Sequence, residues 1–416
     1  MFLKKALYMI CGVSVAGTAM ASGFQISEYS AANMGRSFAG AGVVGDDFSS
    51  IAYNPAGMQY NQKNGVQGGA AAILLYSDYY DNDAKQGSSS EMARVLPHVF
   101  TQYKVNEDLT LGAGIYTPYG LITDYKNNWS GRYHGTLSEL KAVDLSAGAS
   151  YQVMPMLAIG ASINGQYADA RLTSSGLKNL GGGYSIEYAK DLQGKDVGVG
   201  YSVGLTLTPR KDLRFGVSYR SKVSHKLEGD IKFSGPAPLN GKYDASARIT
   251  TPELVLISGA YDVNKDLTLS ASARWTRWTR FNSLHIIAQE NMPAGTKGTA
   301  ISSTHENWKN TWFYSLGADY KINDNWTIRF GGAYDETVIK HETNRTVRIP
   351  DGRRLFASVG LTYHTGNWTL DAGYIHVWMR DGNAKGKDSK DGIENPDVHY
   401  YNAGAHIAGL GVQYEF

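Results

Sequence analysis

Apolar and polar residues alternate with period two over long stretches of the chain. From Trp312, one face reads Trp312, Tyr314, Leu316, Ala318 and Tyr320, and the other Thr311, Phe313, Ser315, Gly317 and Asp319. From Trp326, the apolar face is Trp326, Ile328, Phe330 and Tyr334, set against Thr327, Arg329, Gly331 and Asp335. From Val197, a run of Val197, Val199, Tyr201, Val203, Leu205 and Leu207 opposes Gly198, Gly200, Ser202 and Thr206. This spacing predicts strands with one apolar face. In a barrel embedded in lipid that face turns outward and the polar face lines the lumen.

A strand–turn–strand pattern recurs through the chain: YKVNEDLTLGAG (103–114), YQVMPMLAIGAS (151–162), LTPRKDLRFGVS (207–218), YDVNKDLTLSAS (261–272), YKINDNWTIRFG (320–331) and YHTGNWTLDAG (363–373). Each copy is a strand end, a short turn rich in Asn, Asp, Lys or Gly, and a new strand, which is a tight hairpin. The other ends connect through longer polar segments such as 174–195, 282–306 and 381–398. Short turns on one side and long loops on the other are the asymmetry of an outer-membrane barrel. Six hairpins supply twelve strands. With one strand near 66–80 before them and one near 400–416 after them, the expected wall has fourteen antiparallel strands, the bounds near 225–233 and 245–263 being the least sharp. Closure matters because an open edge in lipid leaves backbone groups unpaired. A soluble propeller would place four strands in each repeat, whereas this chain places two.

Composition sharpens the picture. No run after the N-terminus approaches the roughly 18–20 apolar residues that a spanning helix needs, yet the chain carries 48 Gly, 28 Tyr, 12 Phe and 8 Trp. Glycine and aromatics at this level suit tilted, closely spaced strands and aromatic girdles at two membrane interfaces. Lys4 and Lys5, the apolar stretch that follows and Ala19-Met20-Ala21 form an export signal over 1–21. The single cysteine, Cys11, falls inside it, so disulfide and thiol chemistry are not expected of the exported chain. A net charge of +2 gives no basis for a nucleic-acid partner.

The segment from Ser22 to about Asn61 is too long and too apolar (Phe24, Ile26, Phe38, Val43, Val44, Ile51) to dangle, and packing inside the lumen is expected. Gly23-Phe24-Gln25, Gly35-Arg36, Gly40-Ala41-Gly42, Asp46-Asp47 and Asn54-Pro55-Ala56 together resemble the hatch of the FadL/TodX-like family of outer-membrane transporters for long-chain fatty acids and aromatic hydrocarbons. Further matches are Tyr116-Thr-Pro-Tyr-Gly120, Trp129-Ser-Gly-Arg-Tyr133, Thr251-Pro-Glu253, Asn325-Trp326 and Ile349-Pro-Asp351, so the likeness spans essentially the whole exported chain. The chain ends Gly-Val-Gln-Tyr-Glu-Phe416, which resembles the signal read by the barrel-assembly machinery.

The resemblance implies a fourteen-stranded barrel (62–416) closed by a hatch (22–61), acting as a monomer in the Gram-negative outer membrane among its lipids, with no cofactor and no metal. It implies passive uptake of hydrophobic compounds, long-chain fatty acids first, through a lumen site, hatch rearrangement and a sideways exit at a kink in the third strand. The matching stretch here holds Gly112, Gly114, Pro118 and Gly120, residue types that bend or break a strand, although Pro118 could equally mark the strand's end. Asn54, Pro55 and Ala56 read as hatch-locking, or equally as a plain turn. Candidates for the fatty-acid head group are Lys309, Arg329 and Arg354, by their polar parity, and Arg132, within the matched block. Each could instead brace the barrel by pairing with Glu253, Asp319 or Asp335, and Arg171 is expected to pair with Asp169.

Other functions fit less well. A general porin needs an open lumen, which the N-terminal segment argues against. An enzyme needs a nucleophile and base, and His134, His341, His364, His376, His399 and His406 come with no nucleophile elbow and no zinc-ligand spacing.

Overall fold

In the computed structural model, residues 22–385 and 396–416 are described, and the expected signal peptide lies outside them. Strands β1 (Gly65–Asp81), β2 (Gln86–Lys104), β3 (Leu109–Asp124), β4 (Leu137–Met154), β5 (Leu157–Gly181) and β6 (Tyr184–Arg210) each occupy one wall position. The next four positions are built from two segments each. These are β7 (Leu213–Arg220) with β8 (Val223–Ser234), β9 (Gly241–Thr251) with β10 (Leu254–Asp262), β11 (Leu267–Thr276) with β12 (Ser283–Ala288), and β13 (Ala300–His305) with β14 (Thr311–Lys321). Then follow β15 (Trp326–Asp335), β16 (Arg354–Thr365), β17 (Trp368–Met379) continued by β18 (Gly382–Ala384), and β19 (Val398–Glu415). β19 pairs antiparallel with β1 from Gly65↔Glu415 to Asp81↔Val398, which closes a fourteen-strand barrel. The stretches hard to bound in the sequence are the interrupted wall positions, where breaks such as Pro252-Glu253 divide one strand into two segments.

The repeated turns owe their shape to asparagine. Asn106, Asn264 and Asn323 each accept, through Oδ1, the backbone N–H groups two and three residues on, at 2.8–2.9 Å. The side chain thus mimics a backbone turn and reverses the strand in a few residues. Outward positions carry the predicted apolar face: Val199, Leu316 and Leu410 are exposed on the wall, and Tyr103, Tyr151, Tyr320, Trp326 and Trp368 ring the short-turn end.

Nearly every residue from Ser22 to Asn61 is buried. Its regular elements are short: α1 (Ala31–Gly35), capped by Ser30, α2 (Ser50–Tyr53) and a 3-10 turn over Pro55–Gln59. They lie inside the barrel, α1 against β15–β17 and β19, and the 3-10 turn against β3–β7. Glycines make the close seat possible. A Cβ on Gly331 would lie 2.2 Å from the Arg36 carbonyl carbon, and one on Gly360 would lie 2.7 Å from Gly35 Cα. Only the absence of a side chain lets the two backbones approach so closely.

Candidate functional site

The wall is incomplete between two neighbours. β2 pairs with β1 along its whole length, but with β3 only from Val99↔Ile115 to Lys104↔Thr110. Beyond that point β3 keeps its pairing with β4 up to Asp124↔Leu137. The β3–β4 register slips between Tyr116↔Asp144 and Tyr119↔Ala142, three steps on β3 against two on β4, so β3 contains one extra residue there. This is a bulge, and it bends the strand away from β2. Pro118 sits in the slip and Gly120 just after it, whereas Gly112 and Gly114 lie below, in the paired region, tight against Met58 and Phe100.

The N-terminal segment takes the place that β2 gives up. Ile26 N donates to Pro118 O and Gly120 N donates to Phe24 O, both at 2.9 Å, and Gln25 bridges Tyr119 antiparallel. Phe24 anchors the contact in a nest of rings, with centroids 4.8 Å from Trp278, 5.1 Å from Phe281 and 5.9 Å from Trp308.

Behind this contact lies a largely apolar cavity with about 690 Å³ of empty space, lined by Phe24, Leu121, Leu140, Leu227, Ile249 and Phe281 among others, with Arg348, Glu139 and Glu306 as its charged members. Arg348, on the loop between β15 and β16, donates to Leu137 O (3.0 Å), Ser138 Oγ (3.0 Å) and Thr173 O (3.1 Å). All three acceptors are neutral, and among the described residues no carboxylate stands within ion-pair distance of this guanidinium. Burial pushes it down to about 10, against the opposing pull of Glu306 and Tyr125. A half-buried cation held only by neutral acceptors on a largely apolar chamber suits an amphiphile that brings its own carboxylate, with Glu306 on the same cavity too far from Arg348 to form an ion pair. A second cavity, of about 660 Å³, shares Leu121 and Ile349 with the first and reaches Ser90 and Met92 on β2 at the gap.

The opposite side of the N-terminal segment is held by charge. Arg36 donates to both Asp46 oxygens at 2.8 Å and to Asp319 at 2.7 Å. Arg329 reaches Asp46 at 2.9 Å and lies 3.7 Å from Asp319 and 3.8 Å from Asp371. Burial alone would raise the Asp46 carboxyl, but the Arg36 and Arg329 guanidinium groups hold it well below the usual carboxylate range.

The residues singled out in the sequence are therefore dispersed. Arg329 belongs to this charge network, tying the N-terminal segment to the wall. Arg354 pairs with Asp351 and lies 3.6 Å from Asp335, on the second cavity. Arg132 is bound to Glu187 at 2.8 Å on the extracellular loops. Lys309 is half-buried, with its backbone N–H donating to Val338 O. Glu253 holds Arg277 and Arg280 rather than any of the four candidates. Arg171 pairs with Asp191, its diagonal neighbour on the next strand, correcting the expected Asp169, whose carboxylate instead accepts from Tyr167 OH at 3.0 Å. Asn54 is extended (φ −148°), its Nδ2 donates to Leu205 O on β6 at 3.1 Å, and its Oδ1 accepts from Ala56 N; Pro55 opens the 3-10 turn. Arg348 was not singled out, since a loop residue has no periodicity to mark it. Its signal is its place beside Ile349-Pro350-Asp351, one of the blocks that carry the family resemblance.

Residues 12–416 match the sequence model of a family described as "Outer membrane protein transport protein (OMPP1/FadL/TodX)". The chain belongs to this family. It is an outer-membrane transport protein for hydrophobic compounds rather than an enzyme. It is 26% identical to a long-chain fatty acid transport protein of Escherichia coli, over 90% of this chain and 91% of that one. It is 27% identical to a 47 kDa outer membrane protein of Pasteurella multocida, over 97% and 96%. Among solved structures, a Pseudomonas aeruginosa FadL homologue superposes with a TM-score of 0.87 at 23% identity, covering 95% of this chain and all (100%) of that one. The Pseudomonas putida toluene transporter TodX gives 0.72 at 16% identity, covering 96% and 99%. Both structural likenesses are likenesses of fold.

Proposed function

We propose that this FadL/TodX-family protein takes up long-chain fatty acids. The ligand's tail fills the apolar cavity and its carboxylate meets Arg348. The observation that carries this reading is a guanidinium bound only to neutral acceptors on a chamber lined mainly by leucine, alanine, isoleucine and phenylalanine. A toluene-like ligand would have no use for a buried charge that is costly to keep desolvated. Residues 22–61 act as the hatch of a barrel that comprises 62–416. Release of Phe24–Ile26 from β3 joins the two cavities, and the ligand leaves sideways between β2 and β3. A lateral route suits an acyl chain, because each methylene returned to water costs about 0.8 kcal/mol. The likeness to a fatty acid transport protein supports the same reading.

A second reading, uptake of aromatic hydrocarbons, is favoured by the nest of rings around Phe24. The two are separated by measuring uptake of labelled oleate in cells lacking their own transporter, with wild type and Arg348→Gln. Saturable uptake that falls about tenfold in the variant supports the fatty-acid reading. Toluene uptake that is indifferent to Arg348, with no oleate uptake by a folded barrel, supports the other.

A further inference from the structure

Among the described residues, the upper parts of β2 and β3 lack each other as wall neighbours although each keeps its partner on the far side; β3 has recruited the N-terminal segment, so the free edge at this gap belongs to β2. Where the two strands are still paired, Cβ atoms placed on Gly114 and Gly112 would lie 3.4 and 3.5 Å from the carbonyl oxygens of Val99 and Thr101. Odd-numbered carbonyls of β2 therefore point toward β3. Continued upward, the same parity directs the backbone groups of Pro97, Val95 and Ala93 into the gap. Two residues deal with this edge. Pro97 has no N–H to leave unpaired. Arg94 folds its guanidinium over the edge, Nη1 donating to Ala93 O at 2.8 Å, while its Nε is buried without a partner. No carboxylate pairs with Arg94 among the described residues.

Arg94 also stands between two spaces. On the lumen side, the second cavity ends at Ser90 and Met92, which share its parity on β2. On the lipid side, Arg94 borders an open groove of about 1210 Å³ with Ala72, Leu74, Ala93, Val95, Tyr374 and His406. The small side chains leave a trough on the outer wall, and Tyr374 and His406, hydrogen-bonded to each other at 2.7 Å, form a polar patch on it.

We propose that Arg94 is the portal cation of this transporter: it accompanies the ligand carboxylate through the gap while the acyl chain slides into the outer groove. This rests on the fatty-acid and lateral-exit reading above. A carboxylate crossing a gap in the apolar wall needs a counter-ion at the crossing itself, because Arg348 is fixed deep in the first cavity by three hydrogen bonds. Arg94 is suited to the task because its present acceptor is one neutral carbonyl, a weaker partner than a carboxylate. Arg94 is a positioning residue for release and takes no part in the deeper binding step.

The test compares full-length Arg94→Gln and Arg94→Lys with wild type, using labelled oleate and its neutral ester, methyl oleate. Arg94→Gln is expected to lower the maximal rate of oleate uptake about tenfold, to leave methyl oleate uptake unchanged, and to leave oleate affinity of the purified protein within about twofold. Arg94→Lys is expected to restore most of the rate. Oleate uptake by Arg94→Gln equal to wild type overturns the proposal. So does an equal loss for both ligands that Lys does not repair, since that marks a residue needed only to seal the strand edge. Deleting Pro118 removes the extra residue of β3 and tests the underlying route separately. If oleate uptake survives that deletion in a folded barrel, the lateral exit is wrong and the role of Arg94 falls with it; if uptake stops there but is untouched in Arg94→Gln, only the portal cation is wrong.

Discussion

Where the N-terminal segment meets β14–β17 the contact is ionic and backbone-to-backbone, whereas at β3 it consists of two backbone hydrogen bonds and a nest of rings. On the first side, Arg36, Asp46, Asp319, Arg329 and Asp371 form a buried network, and Gly35 lies directly on Gly360. Removing one member there strands its partners' charge in a place water reaches poorly. On the second side, Phe24 O and Ile26 N bond the strand edge, and each such bond is worth only about 0.5–1.5 kcal/mol net. Phe24 can exchange its ring contacts for those of an apolar ligand at little cost. The segment is thus built as an anchored body with a releasable tip.

Asp46→Ala should break this contrast most strongly. It leaves Arg36 and Arg329 competing for Asp319 and should cost about 3–5 kcal/mol of seating energy, seen as protease cleavage within residues 22–61 of a barrel that still migrates as folded. The same network fixes a pH dependence. Asp46 is held below its unfolded value, so its contribution is present above the ordinary carboxylate range. It is lost only as pH falls from about 4 toward the lower folded value. Protease resistance of 22–61 should therefore survive mild acid, and loss near pH 5–6 would show that Asp46 does not carry the seat. Gly331→Ala attacks the same side through shape, pushing a methyl into the Arg36 backbone, at about 1–3 kcal/mol. Thermal unfolding of the purified variant would read it.

Hydrogen exchange sharpens the contrast without any mutation. Amides of Ile26 and Gly120 should exchange at least about tenfold faster than those of Met34 and Phe38, whose bonds lie on the anchored side. Equal protection would mean that the tip is as fixed as the body. The smallest effect concerns the cavity behind Phe24. Burial lowers the Arg348 guanidinium, so folding disfavours its charged form at neutral pH, a cost relieved only as pH rises beyond about 10 toward the unfolded value. Arg348→Met should leave the empty barrel as stable or up to about 1 kcal/mol more stable, while oleate binding is lost. A clear destabilisation would mean that Arg348 serves the fold instead.

The wall was legible because lipid and lumen impose a strict period of two, and because asparagine-closed turns recur where strands reverse. The breaks at Pro252-Glu253 and at residues 277–282 were harder, since a wall position interrupted by a bend loses its register signal. Charge partners were least legible. Arg329 shows the parity of a lumen cation, but nothing in its own strand reveals that its partner, Asp46, comes from 283 residues earlier in the chain. Arg94 is a similar case. Its parity marks an inward residue, and only the departure of β3 turns that position into an opening.

The seat formed by Gly331, Gly360 and Arg329 has a consequence for the order of assembly. The residues that occupy it emerge first in synthesis, while the strands that make it come near the end. The plug must therefore wait, unhoused, until β15–β17 arrive. The last strands to be made thus complete both the wall, where β19 joins β1, and the seat of the first residues of the described chain.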